Sequence, residues 1–138
     1  MKKEVILASH GGLSQGMKDS AEMILGTLPF PCRAYSLYPG HSPDEFAGPL
    51  LKRAQEEPDT EYDIVADLYG ASVASSLYPL SQCSNVHLFT GMNLNLVLSL
   101  LIEHPDSLTQ EDEDQIIHDA REGVRSITFD LETKNDEF

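Results

Sequence analysis

The chain has 138 residues, 9 of them basic and 23 acidic, with a formal charge of −14 and a pI near 4.5. That length suits one domain able to bury roughly two-thirds of its unfolded surface, so neither disulfides nor a structural metal is needed to hold a core. A surface so acidic repels phosphate backbones and anionic lipid, which argues against nucleic-acid and peripheral membrane binding and favours protein partners with a basic face.

Residues 5–9, Val-Ile-Leu-Ala-Ser, read as a strand buried on both faces. The apolar run is too short for a signal peptide, and no later segment approaches the length of a membrane span, so a soluble cytoplasmic protein is expected. After Gly11-Gly12 a helix carries Leu13, Met17, Ala21, Ile24 and Leu25 at three- and four-residue spacing, and Gly26 stops it. A second strand is read over residues 32–38. Its Cys32, with Cys83, matches neither a CxxC motif nor a disulfide framework, and reduced thiols are expected. Ser42, Pro43 and Glu45 look like an N-cap, a first helical residue and the partner in a capping box. Gly48-Pro49 should kink or break the helix that follows. A third strand is read over residues 62–68, then a helix carrying Leu77 and Leu80, then a fourth strand over residues 85–90. Residues 94–102 are apolar nearly all round and should form a buried helix ended by His104-Pro105. A last amphipathic helix begins near Thr109, with Ile116, Ile117, Ala120 and Val124 inward and Glu111 to Asp114 in its first turn. Ile127, Phe129 and Leu131 alternate with polar residues, the pattern of a half-exposed strand.

This alternation predicts an α/β fold: a doubly wound, four-stranded, mainly parallel sheet with helices on both faces, in the order 2-1-3-4. One domain spans residues 1–132, and 133–138 form a polar tail. The first and third strands then lie side by side, their onward connections diverge, and ligands bind at the crevice between their carboxyl ends. His10 closes the first strand and Asp67 lies near the end of the third. A carboxylate beside a histidine can fix the ring's tautomer and leave the other nitrogen as a nucleophile. Ser72, where the chain enters a helix after Gly70 and Ala71, offers a hydroxyl and helix N-terminal N–H groups to an anion. Each residue alone has a plain structural reading, as a strand-end histidine, a turn aspartate and a helix cap. Together they are the parts of a phosphohistidine site. His41 can rim the same crevice or be a solvated loop residue. His87 is read as a packed or edge-facing strand residue, His104 as a helix-end residue and His118 as solvated. A metal site from His10, His41 and Asp67 matches no recognised ligand spacing. The chain contains no Walker loop, GxGxxG or GxSxG motif, so no nucleotide site and no cofactor are expected.

Three segments carry a family resemblance. Residues 5–11 with Leu13, Gly16, Ser20-Ala21-Glu22, Ile24 and Gly26 resemble the opening of the mannose-family enzyme IIA of the bacterial sugar phosphotransferase system. Asp67-Leu68-Tyr69-Gly70-Ala71-Ser72 resembles its aspartate-bearing turn, and Thr90-Gly91-Met92-Asn93-Leu94 its Gly-x-Asn-Leu segment. The resemblance implies a phosphocarrier in which His10 takes a phosphoryl group from the general histidine-containing phosphocarrier protein and passes it to a IIB domain of a sugar permease. Asp67 would orient the imidazole, while Gly11, Gly70 and Ser72 would bind the phosphate. It further implies a homodimer with an exchanged edge strand, matching the alternation at residues 127–131, and no membrane insertion. Ala66 stands where the family usually has a hydroxyl residue, and Ala71 and Val73 depart from its Gly-Gly-Ser-Pro turn, Ala71 being expected to tighten that turn. The phosphotransfer subunit of dihydroxyacetone kinase, a phosphorylation-controlled regulatory binding module and a metal-dependent hydrolase are the competing readings.

Overall fold

Residues 3–9 are buried without a break and form the inner strand β1 (Lys2–His10). In the computed structural model, which describes residues 2–104 and 106–129, the chain continues through α1 (Leu13–Leu25), β2 (Cys32–Leu37), α2 (Asp44–Glu56) and β3 (Thr60–Ala66). Next come α3 (Ser72–Leu77) with a 3-10 turn (Tyr78–Gln82), β4 (Val86–Phe89), α4 (Leu94–Leu98) running into a π-helical turn (Ser99–Glu103), and α5 (Gln110–Glu122). The strands order as β2-β1-β3-β4 and every described pairing is parallel, as the sequence predicts. Alternate strand residues feed two cores. Val5, Leu7, Val65 and Phe89 pack with Ala21, Leu96, Leu100 and Ile116 on one face. Ile6, Ala8, Ile64 and Ala66 pack with Leu50, Val73 and Leu77 on the other.

Several local expectations are corrected. The inward side of α1 holds Ser14, Met17, Ala21 and Leu25, whereas Leu13 and Ile24 are exposed. Ser14 turns inward, where its hydroxyl donates to the Tyr35 carbonyl at 2.7 Å, and it takes the place expected of Leu13 at the start of the buried stripe. The capping box at Ser42 does not form. Helix α2 starts one residue late, and the Glu45 carboxylate meets His41 Nδ1 at 2.9 Å instead of the Ser42 N–H. Pro49 leaves α2 a single helix, since Pro49 and Glu45, whose carbonyl loses its partner, both lie on the exposed side. Ile117 and Val124 are exposed rather than inward, and only Ile116 and Ala120 of α5 are buried. Within the single chain residues 126–129 pair with no strand, which leaves a strand exchanged with a second copy untouched; positions 130 and 131 of the expected strand, and the tail, lie outside the described residues.

Beneath α5 the sheet carries a buried ionic cluster that the sequence reading did not anticipate. Lys3 Nζ lies 2.9 Å from Asp63 Oδ2 and 3.3 Å from Glu61 Oε2, and donates to the carbonyls of His104 and Asp106. His87 meets Glu61 through Nε2 at 3.0 Å and Glu113 of α5 through Nδ1 at 2.5 Å. With a carboxylate on each ring nitrogen, both nitrogens must carry protons. The hydrogen bond to Glu61, helped by Glu113, raises His87 to about 9 against the pull of burial. Burial raises Asp63 to about 6 despite Lys3. Burial works against the Glu61 charge as well, yet hydrogen bonds from His87, Ser107 and the Leu108 N–H hold it at about 2.

These shifts set a pH profile for stability. The His87 contribution is complete below its ordinary value and is lost as pH rises through about 9. Asp63 penalises the folded state increasingly as pH rises toward about 6, and the Glu61 contribution is lost as pH falls toward about 2. The melting temperature is therefore expected to peak near pH 4–5 and to decline again between about 6.5 and 9. Thermal melts across pH check this. His87→Gln should melt lower and lack the alkaline decline; a wild-type melt that stays flat to pH 9 would contradict the assignment.

Candidate active site

Strands β1 and β3 end side by side, with Ala8 opposite Ala66, so His10 and Asp67 emerge together at the switch point of the sheet. The Asp67 carboxylate accepts three hydrogen bonds. Oδ2 takes the His10 backbone N–H at 2.8 Å and His10 Nδ1 at 2.7 Å, and Oδ1 takes the Leu68 N–H at 2.9 Å. Burial alone would raise this carboxyl, but the His10 N–H, the His10 ring and the Leu68 N–H hold it below its ordinary value. An ionised Asp67 accepts only, so Nδ1 carries the ring proton and the lone pair resides on Nε2. The His10 side chain is 46% exposed while that of Asp67 is 6% exposed, so the imidazole reaches solvent and the carboxylate that holds it does not.

Ser72, the first residue of α3, places Oγ 3.2 Å from His10 Nε2. With the tautomer fixed by Asp67, the Ser72 hydroxyl is the donor in this contact. Gly70 makes the turn before it with φ +78, while Ala71 adopts φ −84 and ψ 174, extended backbone open to any residue. The alanine at 71 therefore does not tighten the turn, because the left-handed conformation falls entirely on Gly70. Gly11 takes φ +55 just after His10, and its N–H donates to the Leu37 carbonyl of β2 at 2.8 Å. The Met92 N–H reaches the carbonyls of Ala66 and Asp67, which pins the Gly91 loop beneath the aspartate.

All five expected site residues thus surround one point: His10, Asp67 and Ser72 in direct contact, Gly11 and Gly70 in the adjoining turns. His41 is exposed and paired with Glu45, and His118 is exposed on α5. Among the described residues, the one group of side chains spaced to hold a metal ion is Glu61, Asp63 and His87, at the amino end of the sheet and distinct from the His10, His41 and Asp67 set. The Lys3 ammonium already contacts both of its carboxylates. The signal for this cluster was visible as Lys3, Glu61 and Asp63 inside otherwise apolar strands, but which face they shared was not.

Fold and site together define the class: a doubly wound α/β domain presenting an oriented imidazole at its switch point. The family description PTS system fructose IIA component matches residues 4–117, and the chain belongs to that family, the fructose/mannose-type IIA components of the sugar phosphotransferase system. The IIA protein associated with the fucose utilization operon of Streptococcus pneumoniae is 27% identical over 98% of this chain and 97% of that one, with a TM-score of 0.73. The mannose/sorbose specific IIA subunit from Enterococcus faecalis has the same fold at 20% identity and a TM-score of 0.74, covering 94% of this chain and 98% of that one. A sigma-54 interaction domain protein from Enterococcus faecalis also shares it, at 18% identity and a TM-score of 0.68, over 91% of this chain and 98% of that one. No helix among the described residues is long and apolar enough to cross a membrane.

Proposed function

We propose that this chain is a cytoplasmic phosphocarrier that accepts a phosphoryl group on His10 Nε2 from the general histidine-containing phosphocarrier protein and passes it to a IIB domain of a sugar permease. The carrying observation is the 2.7 Å contact between His10 Nδ1 and Asp67, which leaves the lone pair on Nε2 of a half-exposed ring. The Nε2 lone pair attacks phosphorus, the N–P bond of the donor breaks, and its electron pair returns to the donor's imidazole. The His10 ring becomes cationic, and Asp67 stabilises it through the retained Nδ1 proton. Ser72 turns its hydroxyl from Nε2 to a phosphoryl oxygen, beside first-turn N–H groups of α3 that lack intrahelical partners. Gly11 and Gly70 keep side chains away from the incoming group. Exposed Leu13, Tyr38, Leu68 and Tyr69 lie in the segments that follow the carboxyl ends of β1, β2 and β3, the end of the sheet that carries His10, and suit docking by another protein.

The test is transfer from labelled phosphoenolpyruvate. The chain should be labelled only when both general proteins of the system are present, and should then lose label to a IIB domain. Labelling by ATP alone would overturn the reading. A regulatory domain of the same fold is the second reading, supported by the likeness to the sigma-54 interaction domain protein. It predicts labelling without onward transfer to IIB.

The carrier is proposed to be a homodimer. Val124, Ile127 and Phe129 are 77%, 74% and 78% exposed, and among the described residues β4 pairs on one side only. An apolar segment and an open sheet edge in one chain call for a partner strand. Removing residues 126–138 is expected to shift the protein toward monomer in sedimentation at micromolar concentration. A full-length protein already monomeric there would contradict the proposal.

A further inference from the structure

Ser9 is fully buried at the penultimate position of β1, immediately before the histidine. Its hydroxyl donates one hydrogen bond and accepts another. It donates to the Gly11 carbonyl at 3.3 Å and accepts the Ser14 N–H at 2.8 Å. The Ser14 N–H belongs to the first turn of α1, whose N-cap residue, Gly12, has no side chain to cap it. Ser9 therefore caps α1 from three residues before the N-cap position, and in doing so closes a small ring of chain around His10. Ser14 extends the tie to β2, its Oγ lying 2.7 Å from the Tyr35 carbonyl and 3.3 Å from Ser36 Oγ.

This geometry bears on the imidazole. The ring must reach Asp67 with Nδ1 and Ser72 with Nε2 at once, at 2.7 and 3.2 Å. Both contacts depend on the backbone of residues 9–12, where Gly11 holds a left-handed conformation that a glycine leaves readily for others. On its far side this turn is held by the Gly11 N–H to the Leu37 carbonyl and by the Ser9 hydroxyl. Displacements of about 1 Å at a reacting group cost large factors in rate, so what fixes the turn also sets the efficiency of the ring.

We infer that Ser9 is a positioning residue for His10: its buried hydroxyl locks the Gly11-Gly12 turn so that the ring meets Asp67 and Ser72 together. The inference rests on His10 being the phosphoryl acceptor. Ser9 does not touch the reacting atoms and acts only through the turn. A hydroxyl that merely capped α1 would affect stability alone.

The experiment compares Ser9→Ala, Ser9→Thr and Ala21→Gly in the full chain. Ala21→Gly destabilises the same helix at a buried position away from the turn. Two readouts are taken: the phosphoryl transfer rate well below the melting temperature, and the tautomer of His10 from the imidazole 15N shifts. Ser9→Ala is expected to slow transfer about 3- to 30-fold, the range set by loss of one capping hydrogen bond. It should also mix the Nε2–H tautomer into an otherwise Nδ1–H ring. Ser9→Thr, which keeps the hydroxyl, should return both readouts toward wild type, and Ala21→Gly should lower the melt while leaving both unchanged. A Ser9→Ala protein with wild-type rate and tautomer and only a lower melt overturns the inference, as does a folded Ser9→Thr that fails to rescue. Should Ser9→Ala not fold, Ser9→Cys exchanges the hydroxyl for a weaker thiol at similar size and is read in the same way. The tautomer arm needs no phosphoryl donor. A wild-type chain that takes no label therefore refutes the carrier function, while the NMR result still decides whether Ser9 orients the ring.

Discussion

His10→Ala is expected to take up no phosphoryl group from phosphoenolpyruvate and the two general proteins, while folding as the wild type does. Neither His87 nor His41 is placed to substitute. His87 carries a proton on each nitrogen between Glu61 and Glu113, so it has no lone pair to offer. His41 sits in an exposed pair with Glu45, where water competes for the contact and orients it weakly. The substitution leaves Asp67 two backbone donors, the residue-10 N–H and the Leu68 N–H, so its carboxylate is not orphaned. The ring itself is half-exposed and contributes little to either core. Autoradiography after transfer, paired with a thermal melt, decides the matter. Label retained in a folded His10→Ala protein places the chemistry at another residue.

Asp67→Asn is expected to slow transfer roughly 5- to 150-fold, the equivalent of losing a charged hydrogen bond of about 1–3 kcal/mol in the transition state. The reason lies in the count of donors. Both carboxylate oxygens accept, Oδ2 from the His10 N–H and ring and Oδ1 from the Leu68 N–H. An amide NH2 placed at either position faces an N–H. Turned toward His10 it admits the wrong ring tautomer, and turned toward Leu68 it strands a backbone donor. Some stability is lost as well, about 1–3 kcal/mol for an unmet buried donor. Because its folded pKa is depressed, Asp67 stabilises the fold above the ordinary carboxylate range, and that contribution disappears as pH falls through the depressed value. The asparagine variant should lack this acid-side loss. Stopped-flow transfer beside melts of both proteins checks the prediction. Equal transfer and equal melts would reduce Asp67 to a turn residue.

Much of this was legible in the chain. Residues 5–9 are apolar on both faces, and only a strand covered on both sides can bury them, so a parallel sheet with helices above and below followed from periodicity. Gly26 as a helix stop and a helix start near Thr109 also needed only local chemistry; the structure adds that Thr109 caps this helix and closes a full box with Asp112. Other local signals were overridden. The apparent capping box at Ser42 lost its Glu45 to His41, because an exposed carboxylate is free to choose the nearest donor. The α1 stripe begins at Ser14 rather than Leu13, because Ser14 found a carbonyl on β2, a partner twenty-one positions away.

The sequence by itself determined the fold class and marked His10, Asp67 and Ser72 as candidates, because residue type, spacing and strand-end position are properties of neighbouring residues; the strand order was read as the one common to such folds, and the sheet has it. The tertiary structure decided what those residues do to one another. Which imidazole nitrogen keeps the proton depends on a carboxylate 57 positions away, and its ionisation depends on the Leu68 and His10 N–H groups that only the finished turn aims at it. The ionic cluster under α5 is the clearest case. Lys3, Glu61, Asp63, His87 and Glu113 come from four elements, and each looks misplaced or solvated until the sheet register sets three strands side by side and α5 closes over them. Charge–charge contacts fall off over a few ångströms, and distances of that size between remote residues exist only once the chain has folded.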